Sequence, residues 1–311
     1  MNLIFCGTPE FAVPTLDRLI REKFALQLVV TNPDESSGRG YDLKAPSVKR
    51  RAMEAGLPVF QPRRLRDEVV RAFLSQYHPD AMVVVAYGHL IPPWMIRLPR
   101  LGCINLHASL LPKYRGAAPI PWVIIRGERL TGLTTMMIDA GLDTGDILLQ
   151  RETAIENDDT TETLSARMSV AGAELMTETL GLLDRGEIQP RPQEHARATL
   201  APILKKRDGR IDWSLTAREI ERRVRGLCPW PGTYASFRGK NLHIWKAHVI
   251  PNPTSGERHL GALMIEASGL LVACGERTLL ALDEVQLEGR KRISAREFAN
   301  GARLAATERL G

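Results

Sequence analysis

The chain reads as an α/β domain, a parallel sheet covered by helices, followed by a small closed β-barrel. Three observations carry that reading. Over the first half, short apolar runs alternate with helical patterns. Beyond Pro229 the pattern changes to short β-prone runs punctuated by Gly239, Gly261, Gly269 and Gly275. Between the two, Gln189 to Pro202 carries Pro190, Pro192 and Pro202 with no sustained apolar period, which marks a linker. A length of 311 residues agrees with two domains, partitioned as 1–189, a linker over 190–206, and 207–311.

Each element has a local reason. Leu3–Cys6, Leu26–Thr31, Ala81–Ala86, Cys103–Leu106 and Leu133–Ile138 are apolar runs of strand length. Residues 160–185 are expected as a helix: Leu164, Met168, Ala171 and Leu175 recur at helical spacing, Asp159 and Glu162 offer a capping box, and Gly186 ends it. Ser214 to Leu227 reads as a second helix, with Ile220, Val224 and Leu227 on its apolar face and Arg218, Arg222 and Arg225 elsewhere. Strands follow at Thr233–Phe237, Leu242–Ile250, Ala262–Glu266, Leu270–Cys274 and Thr278–Leu282, and a last helix starts at Ser294 with Glu297 three residues on. Trp213 and Trp230 are expected in the core, given their apolar settings.

Composition excludes several classes. Apolar residues make up 44% and charged ones 25%, so neither a disordered tail nor a membrane protein is expected. The longest apolar run, Ala81 to Tyr87, falls far short of the ~20 residues of a spanning helix. No basic region precedes Leu3–Cys6, so no secretory leader is expected. Cys6, Cys103, Cys228 and Cys274 form no C-x-x-C pair, which argues against a zinc ribbon or disulfide framework and for the reducing cytoplasm. The net charge of +6 is unevenly spread: residues 1–189 carry −2 and residues 190–311 carry +8. A basic C-terminal part points to a polyanionic partner, nucleic acid first, with a solvated basic surface as the competing reading.

Motifs narrow the chemistry further. Gly7-Thr8-Pro9 follows the first strand, but the remaining glycines of G-x-G-x-x-G are absent, and no G-x-x-x-x-G-K-[ST] occurs. No H-E-x-x-H is present and no metal is expected. The informative stretch is Cys103 to Pro112. Residues two apart on a strand share a side, so Asn105 and His107 face one crevice at a strand's carboxyl end, where open α/β sheets bind ligands. Asp143 sits in a glycine-flanked loop after another strand, within reach of that crevice. An amide, an imidazole and a carboxylate suit acyl transfer to an amine, and with no serine or cysteine nucleophile beside them the transfer is expected to be direct. On spacing alone, a structural histidine with Asn105 and Asp143 as turn-formers competes with this reading.

At these residues the chain resembles the 10-formyltetrahydrofolate-dependent formyltransferase family. The similarity runs nearly end to end, through Phe5–Pro9, Val83–Gly88, Asn105–Pro112, Arg115–Ile120, Gly141–Asp146, Arg210–Ser214 and Pro229–Pro231. The resemblance implies a doubly wound, mostly parallel, Rossmann-like formyltransferase domain followed by an OB-like β-barrel that grips tRNA. It implies Asn105, His107 and Asp143 as the catalytic trio, with Ser109, Leu110, Leu111 and Pro112 contacting folate and Ala86, Tyr87 and Gly88 walling the pterin pocket. The Arg115–Ile120 and C-terminal blocks point to a member that formylates the α-amine of methionyl-initiator tRNA for translation initiation; a monomer without membrane contact is expected. The family's insertion after the second strand corresponds to Asp34–Lys44, where Arg39 and Lys44 would meet tRNA; acidic Asp34 and Glu35 at its base depart from that role. Lys206, in the run Lys205, Lys206, Arg207 and Arg210, is a further tRNA-contact candidate. Alternatives are a purine-precursor or nucleotide-sugar formyltransferase, a tRNA-binding protein with an inactive domain, and a hydride-transferring enzyme.

Overall fold

The computed structural model describes residues 1–37, 42–251, 258–266, 269–305 and 307–311. In chain order the first part runs β1 (Asn2–Gly7), α1 (Val13–Arg21), β2 (Ala25–Val30), β3 (Glu35–Ser37), β4 (Asp42–Lys44), α2 (Ser47–Glu54), β5 (Val59–Phe60), α3 (Glu68–Leu74) and β6 (Ala81–Val85). It continues with α4 (Pro93–Ile96), β7 (Cys103–His107), α5 (Pro119–Ile125), β8 (Leu130–Met137), β9 (Ile147–Ala154) and α6 (Thr161–Asp184). The second part runs α7 (Ala217–Gly226), β10 (Thr233–Phe237), β11 (Lys240–Val249), β12 (Leu263–Glu266), β13 (Gly269–Ala273), β14 (Leu279–Leu287), β15 (Ile293–Ser294) and α8 (Ala295–Ala302).

Two compact units emerge: Met1–Pro119 with Leu130–Ala154 and Ser165–Pro202, and Ile120–Arg129 with Ile155–Leu164 and Ile203–Gly311. The first is built on a seven-stranded sheet of order β5-β2-β1-β6-β7-β8-β9. Strands β5 to β7 pair in parallel, and β8 and β9 are antiparallel additions at one edge. β6 is buried at every position and β1 at all but its first, as a sheet covered on both faces requires. β9 alternates after its first two residues, with one face solvated, and its polar, alternating composition hid it from a search for apolar runs. The chain leaves β1 toward β2 and β5 but returns on the other flank to β6 and β7, so the strand order reverses between β1 and β6. The carboxyl ends at such a reversal frame the ligand crevice of open α/β sheets.

The helix expected at 160–185 spans Thr161–Asp184, but its cap differs. The Thr160 and Thr163 side chains exchange hydrogen bonds with each other's backbone N–H, at 3.0 and 3.3 Å. Asp159 instead turns inward, 4% exposed, and accepts from Glu156 N and Thr163 Oγ1. The segment expected to be a linker is fastened over its first part to the first unit: Arg191 pairs with Ile147, Leu200 with Arg115, and Gln193 is 5% exposed.

In the second unit the path β10-β11-β14-β13-β12 is antiparallel throughout, with β15 on β14. Trp213, Ile220, Val224, Phe237, Leu242, Ile244, Val285 and Phe298 form its core. Capping boxes at Thr216/Glu219 and Ser294/Glu297 start α7 and α8. The expected closure does not take place by strand pairing: among the described residues β12 and β10 do not meet. C-terminal residues take the edges of both. Leu263 N donates to Glu308 O, Leu310 N to Gly261 O, and Ser236 and Gly311 exchange two bonds at 2.7 and 2.9 Å. Trp213 is buried as expected, whereas Trp230 is 53% exposed, held on a turn between two prolines rather than in the core.

Candidate active site

The site is built at the carboxyl end of β7. Cys103, Asn105 and His107 share one side of that strand. Cys103 lies in the apolar cluster with Met95 and Tyr87, and by Asn105 the same side has become half-buried. The Asn105 amide makes no hydrogen bond among the described residues, so its donors and acceptor are free for a ligand. His107 is 6% exposed. Its Nε2 lies 3.0 Å from the Tyr114 carbonyl, and because a carbonyl only accepts, Nε2 carries the proton in the neutral ring. The Nδ1 lone pair is thereby left open, with Asp143 Oδ2 3.8 Å away.

Asp143 is held from two directions. Its Oδ2 accepts from Gly116 N at 2.7 Å. Its main chain sits at φ 51°, and its carbonyl oxygen, with that of Gly145, accepts from the Gln193 amide at 3.0 and 2.6 Å. Glycine is required at two positions here. Gly116 has φ 118°, and a Cβ there would lie 2.7 Å from Ala201 O; a Cβ on Gly145 would fall on the Met137 carbonyl oxygen. Of the residues expected from the sequence, the fold brings His107 and Asp143 together. Tyr114, Gly116 and Gln193 were not legible there, the first two because they make these contacts through backbone groups that leave no side-chain signal.

The neighbouring hydroxyl and thiols are not poised to attack. Ser109 is fully buried and its Oγ donates to Lys113 O at 2.6 Å. Burial pushes the Cys103 thiol up to about 12 and the Cys6 thiol well above its ordinary value, so neither offers a thiolate at neutral pH. Around Ser109 the segment is stapled to β8 and β9: Thr134 Oγ1 donates to Ser109 O and accepts from Leu111 N, and Gln150 Nε2 donates to Leu111 O. Ser109 and Leu111 are thus interior, while Leu110 and Pro112 are half-buried. After β6, Ala86 and Gly88 are exposed with φ 46° and 85°, presenting main chain outward. Tyr87 between them points into the core, 2% exposed. Beside this turn, Asn32 Oδ1 is buried without a partner among the described residues, and a Cβ on Gly88 would lie 3.9 Å from Asn32 Nδ2.

Among the polynucleotide candidates, Arg39 lies outside the described residues. Lys44 is exposed and pairs with Glu35 across the β3–β4 hairpin, a short polar pairing not expected from the sequence. Asp34 is not turned toward a ligand: its carboxylate takes Lys49 Nζ at 2.7 Å and Gln61 Nε2 at 2.8 Å. Lys206 and Arg207 are exposed on a short helical turn and have no ion-pair partner among the described residues. No group of three His, Cys, Asp or Glu able to hold a metal, and no helix long and apolar enough to cross a membrane, occurs among the described residues.

A free amide, a tautomer-fixed imidazole and a carboxylate thus lie at and beside the carboxyl end of β7, next to the pair of strands between which the order of the sheet reverses. The chain belongs to the formyl transferase family: the formyl transferase model matches residues 1–180 and the formyl transferase C-terminal domain model residues 203–303. It is 53% identical to the methionyl-tRNA formyltransferase of Koribacter versatilis over 312 residues, covering 100% of this chain and 99% of that one. To the methionyl-tRNA formyltransferase of Solibacter usitatus it is 50% identical over 311 residues, covering 100% and 99%. Among solved structures, WlaRD, a sugar 3N-formyl transferase determined with dTDP and 5-N-formyl-THF, superposes with a TM-score of 0.69 at 16% identity, covering 94% of this chain and 99% of that one. HypX from Aquifex aeolicus, in complex with tetrahydrofolic acid, gives 0.64 at 15% identity over 96% of this chain and 46% of that one. At such identities these two structures speak for the fold.

Proposed function

We propose that the protein transfers the formyl group of 10-formyltetrahydrofolate to the α-amine of methionyl-initiator tRNA, giving the N-formylmethionyl-tRNA used to start translation. The observation that carries this is the meeting of His107 and Asp143 beside an uncommitted Asn105 amide, in a chain half identical over its full length to methionyl-tRNA formyltransferases. Residues 1–189 form the catalytic part, 190–206 the connection, and 207–311 the tRNA-binding part. Lys44, Lys206 and Arg39 contact the polynucleotide, and the protein acts as a cytoplasmic monomer.

The donor, when bound, supplies an activated N-formyl carbon. The surroundings fit a pterin, a flat heterocycle edged with donors and acceptors: main chain at Ala86 and Gly88 and the Asn32 Oδ1, without a partner among the described residues, offer polar edges, and half-buried Leu110 and Pro112 offer apolar surface. Asn105 donates to the formyl oxygen and stabilises the negative charge that develops there as the amine nitrogen attacks. His107 Nδ1 is the one ring position able to take the amine's proton, since Nε2–H is committed to Tyr114. Asp143 stabilises the imidazolium so formed. The C–N bond forms first, the tetrahedral adduct then collapses with loss of the folate nitrogen, and the proton taken by His107 passes to that leaving nitrogen.

The test is a direct assay with charged initiator tRNA and 10-formyltetrahydrofolate. Wild-type protein forms the formylated aminoacyl end, and His107→Ala and Asp143→Ala each lower turnover by about 100-fold or more. Near-normal turnover in either variant removes that residue from the mechanism.

A further inference from the structure

Gln193 lies in a proline-rich stretch that carries no motif, yet it is 5% exposed and every polar atom of its side chain is engaged near Asp143. Its Nε2 donates to the carbonyl oxygens of Asp143 and Gly145, at 3.0 and 2.6 Å. Its Oε1 accepts from Arg115 Nε and Nη2, at 3.1 and 2.6 Å. Arg115 is itself 7% exposed, and its other partner is His195 Nδ1 at 3.0 Å. Among the described residues no carboxylate pairs with this guanidinium, so the Gln193 oxygen is its principal acceptor. A buried guanidinium needs such an acceptor.

We propose that Gln193 is a positioning residue for formyl transfer, acting through Asp143; this rests on the reading of Asp143 as a member of the catalytic trio. The Gln193 amide clamps the Asp143 loop by two carbonyls, that of half-buried Asp143 and that of buried Gly145. That clamp fixes the Asp143 main chain at φ 51°, a left-handed conformation uncommon outside glycine, though one that aspartate tolerates. The acceptor side of the same amide fixes Arg115, and the residue after Arg115 supplies the Gly116 N–H that grips Asp143 Oδ2. One side chain therefore sets both the main chain and, through residue 115, the carboxylate of Asp143. The consequence is the 3.8 Å approach of Oδ2 to His107 Nδ1. A misplacement of about 1 Å at a group of this kind is enough to cost on the order of 100-fold in rate.

The experiment compares kcat and KM of Gln193→Leu, Gln193→Glu, Asp143→Ala and the double variant Gln193→Leu/Asp143→Ala, with thermal unfolding of each. Gln193→Leu removes both donors and the acceptor. Gln193→Glu keeps the acceptor for Arg115 but sets a carboxylate against two carbonyl oxygens. The expected result is a kcat lower by about 10- to 100-fold in each single Gln193 variant, with KM for both substrates within about threefold. In the Asp143→Ala background, Gln193→Leu should cost less than about twofold more, because the group it positions is gone. Full turnover in either folded Gln193 variant overturns the proposal, as does a loss that adds in full on top of Asp143→Ala. If Gln193→Leu does not fold, the comparison is made with Gln193→Glu alone and with the double variant Gln193→Glu/Asp143→Ala. Normal turnover of Asp143→Ala would instead overturn the catalytic reading of Asp143, whatever the Gln193 variants do.

Discussion

Replacing Gly116 by alanine tests the site's geometry through a single methyl group. Gly116 has φ 118°, outside the regions open to other residues, and the new Cβ would lie 2.7 Å from Ala201 O and 3.3 Å from Ala201 C. That carbonyl cannot swing aside freely, because it accepts the Ala118 N–H at 3.2 Å. The dihedral costs about 1–3 kcal/mol and the overpacking about 1–3 kcal/mol more, so the loss should reach at least about 2 kcal/mol. At roughly 2–4 °C per kcal/mol for a unit of this size, the midpoint of unfolding falls by about 4 °C or more. Relief of the contact moves residue 116, and with it the N–H that meets Asp143 Oδ2 at 2.7 Å. A hydrogen bond to a charged group contributes about 1.5–3 kcal/mol, so turnover should fall about tenfold or more. Calorimetry and initial rates of formyl transfer read the two effects. An unchanged unfolding temperature together with full turnover would refute the argument, since neither the dihedral nor the contact would then constrain the site.

Two further predictions concern titratable groups. The Gln61 hydrogen bond, followed by that of Lys49, holds the Asp34 carboxyl below its ordinary value. Because the folded pKa is depressed, the fastening of the hairpin base is complete above the unfolded value of about 4 and is lost as pH falls through the lowered folded one. A carboxyl titration followed by NMR should show the Asp34 midpoint rising in Gln61→Leu, and a midpoint indifferent to that change would disprove the assignment. Burial raises all four thiols, Cys228 being the one that is not fully interior. Iodoacetamide at pH 8 should therefore modify Cys228 first and reach Cys6, Cys103 and Cys274 only on unfolding, read by peptide mass spectrometry. Early labelling of Cys103 would contradict the buried face of β7.

The central strands and the Asn105-x-His107 pair were legible because they depend on short-range periodicity. A parallel sheet covered on both faces demands continuous apolar runs, and residues two apart must share a side. Asp143 was legible as a polar residue in a glycine-flanked loop. The hairpin Glu35–Lys44 was not, since two three-residue polar strands have no apolar period to detect. Nor was the cap of α6: Asp159, Thr160, Glu162 and Thr163 all suit a helix start, and burial of Asp159 decided among them. Trp230 read as core because its neighbours are apolar, but prolines on either side hold it on an exposed turn.

The class of the domain, its central apolar strands and the kinds of side chain brought to the end of β7 were written in local pattern, because hydrophobic burial imposes its period on each element separately, whereas the order of the strands in the sheet was decided by the fold. Which atoms complete the site was settled by long-range packing. The Tyr114 carbonyl that chooses the His107 tautomer, the Gly116 N–H that grips Asp143 and the Gln193 amide that clamps its loop are specified by where folded segments come to rest. The same holds for the seam of the second unit, where chain-terminal residues occupy strand edges that pattern alone would have paired with each other. Backbone donors and acceptors are identical along the chain, so only the assembled fold assigns them partners.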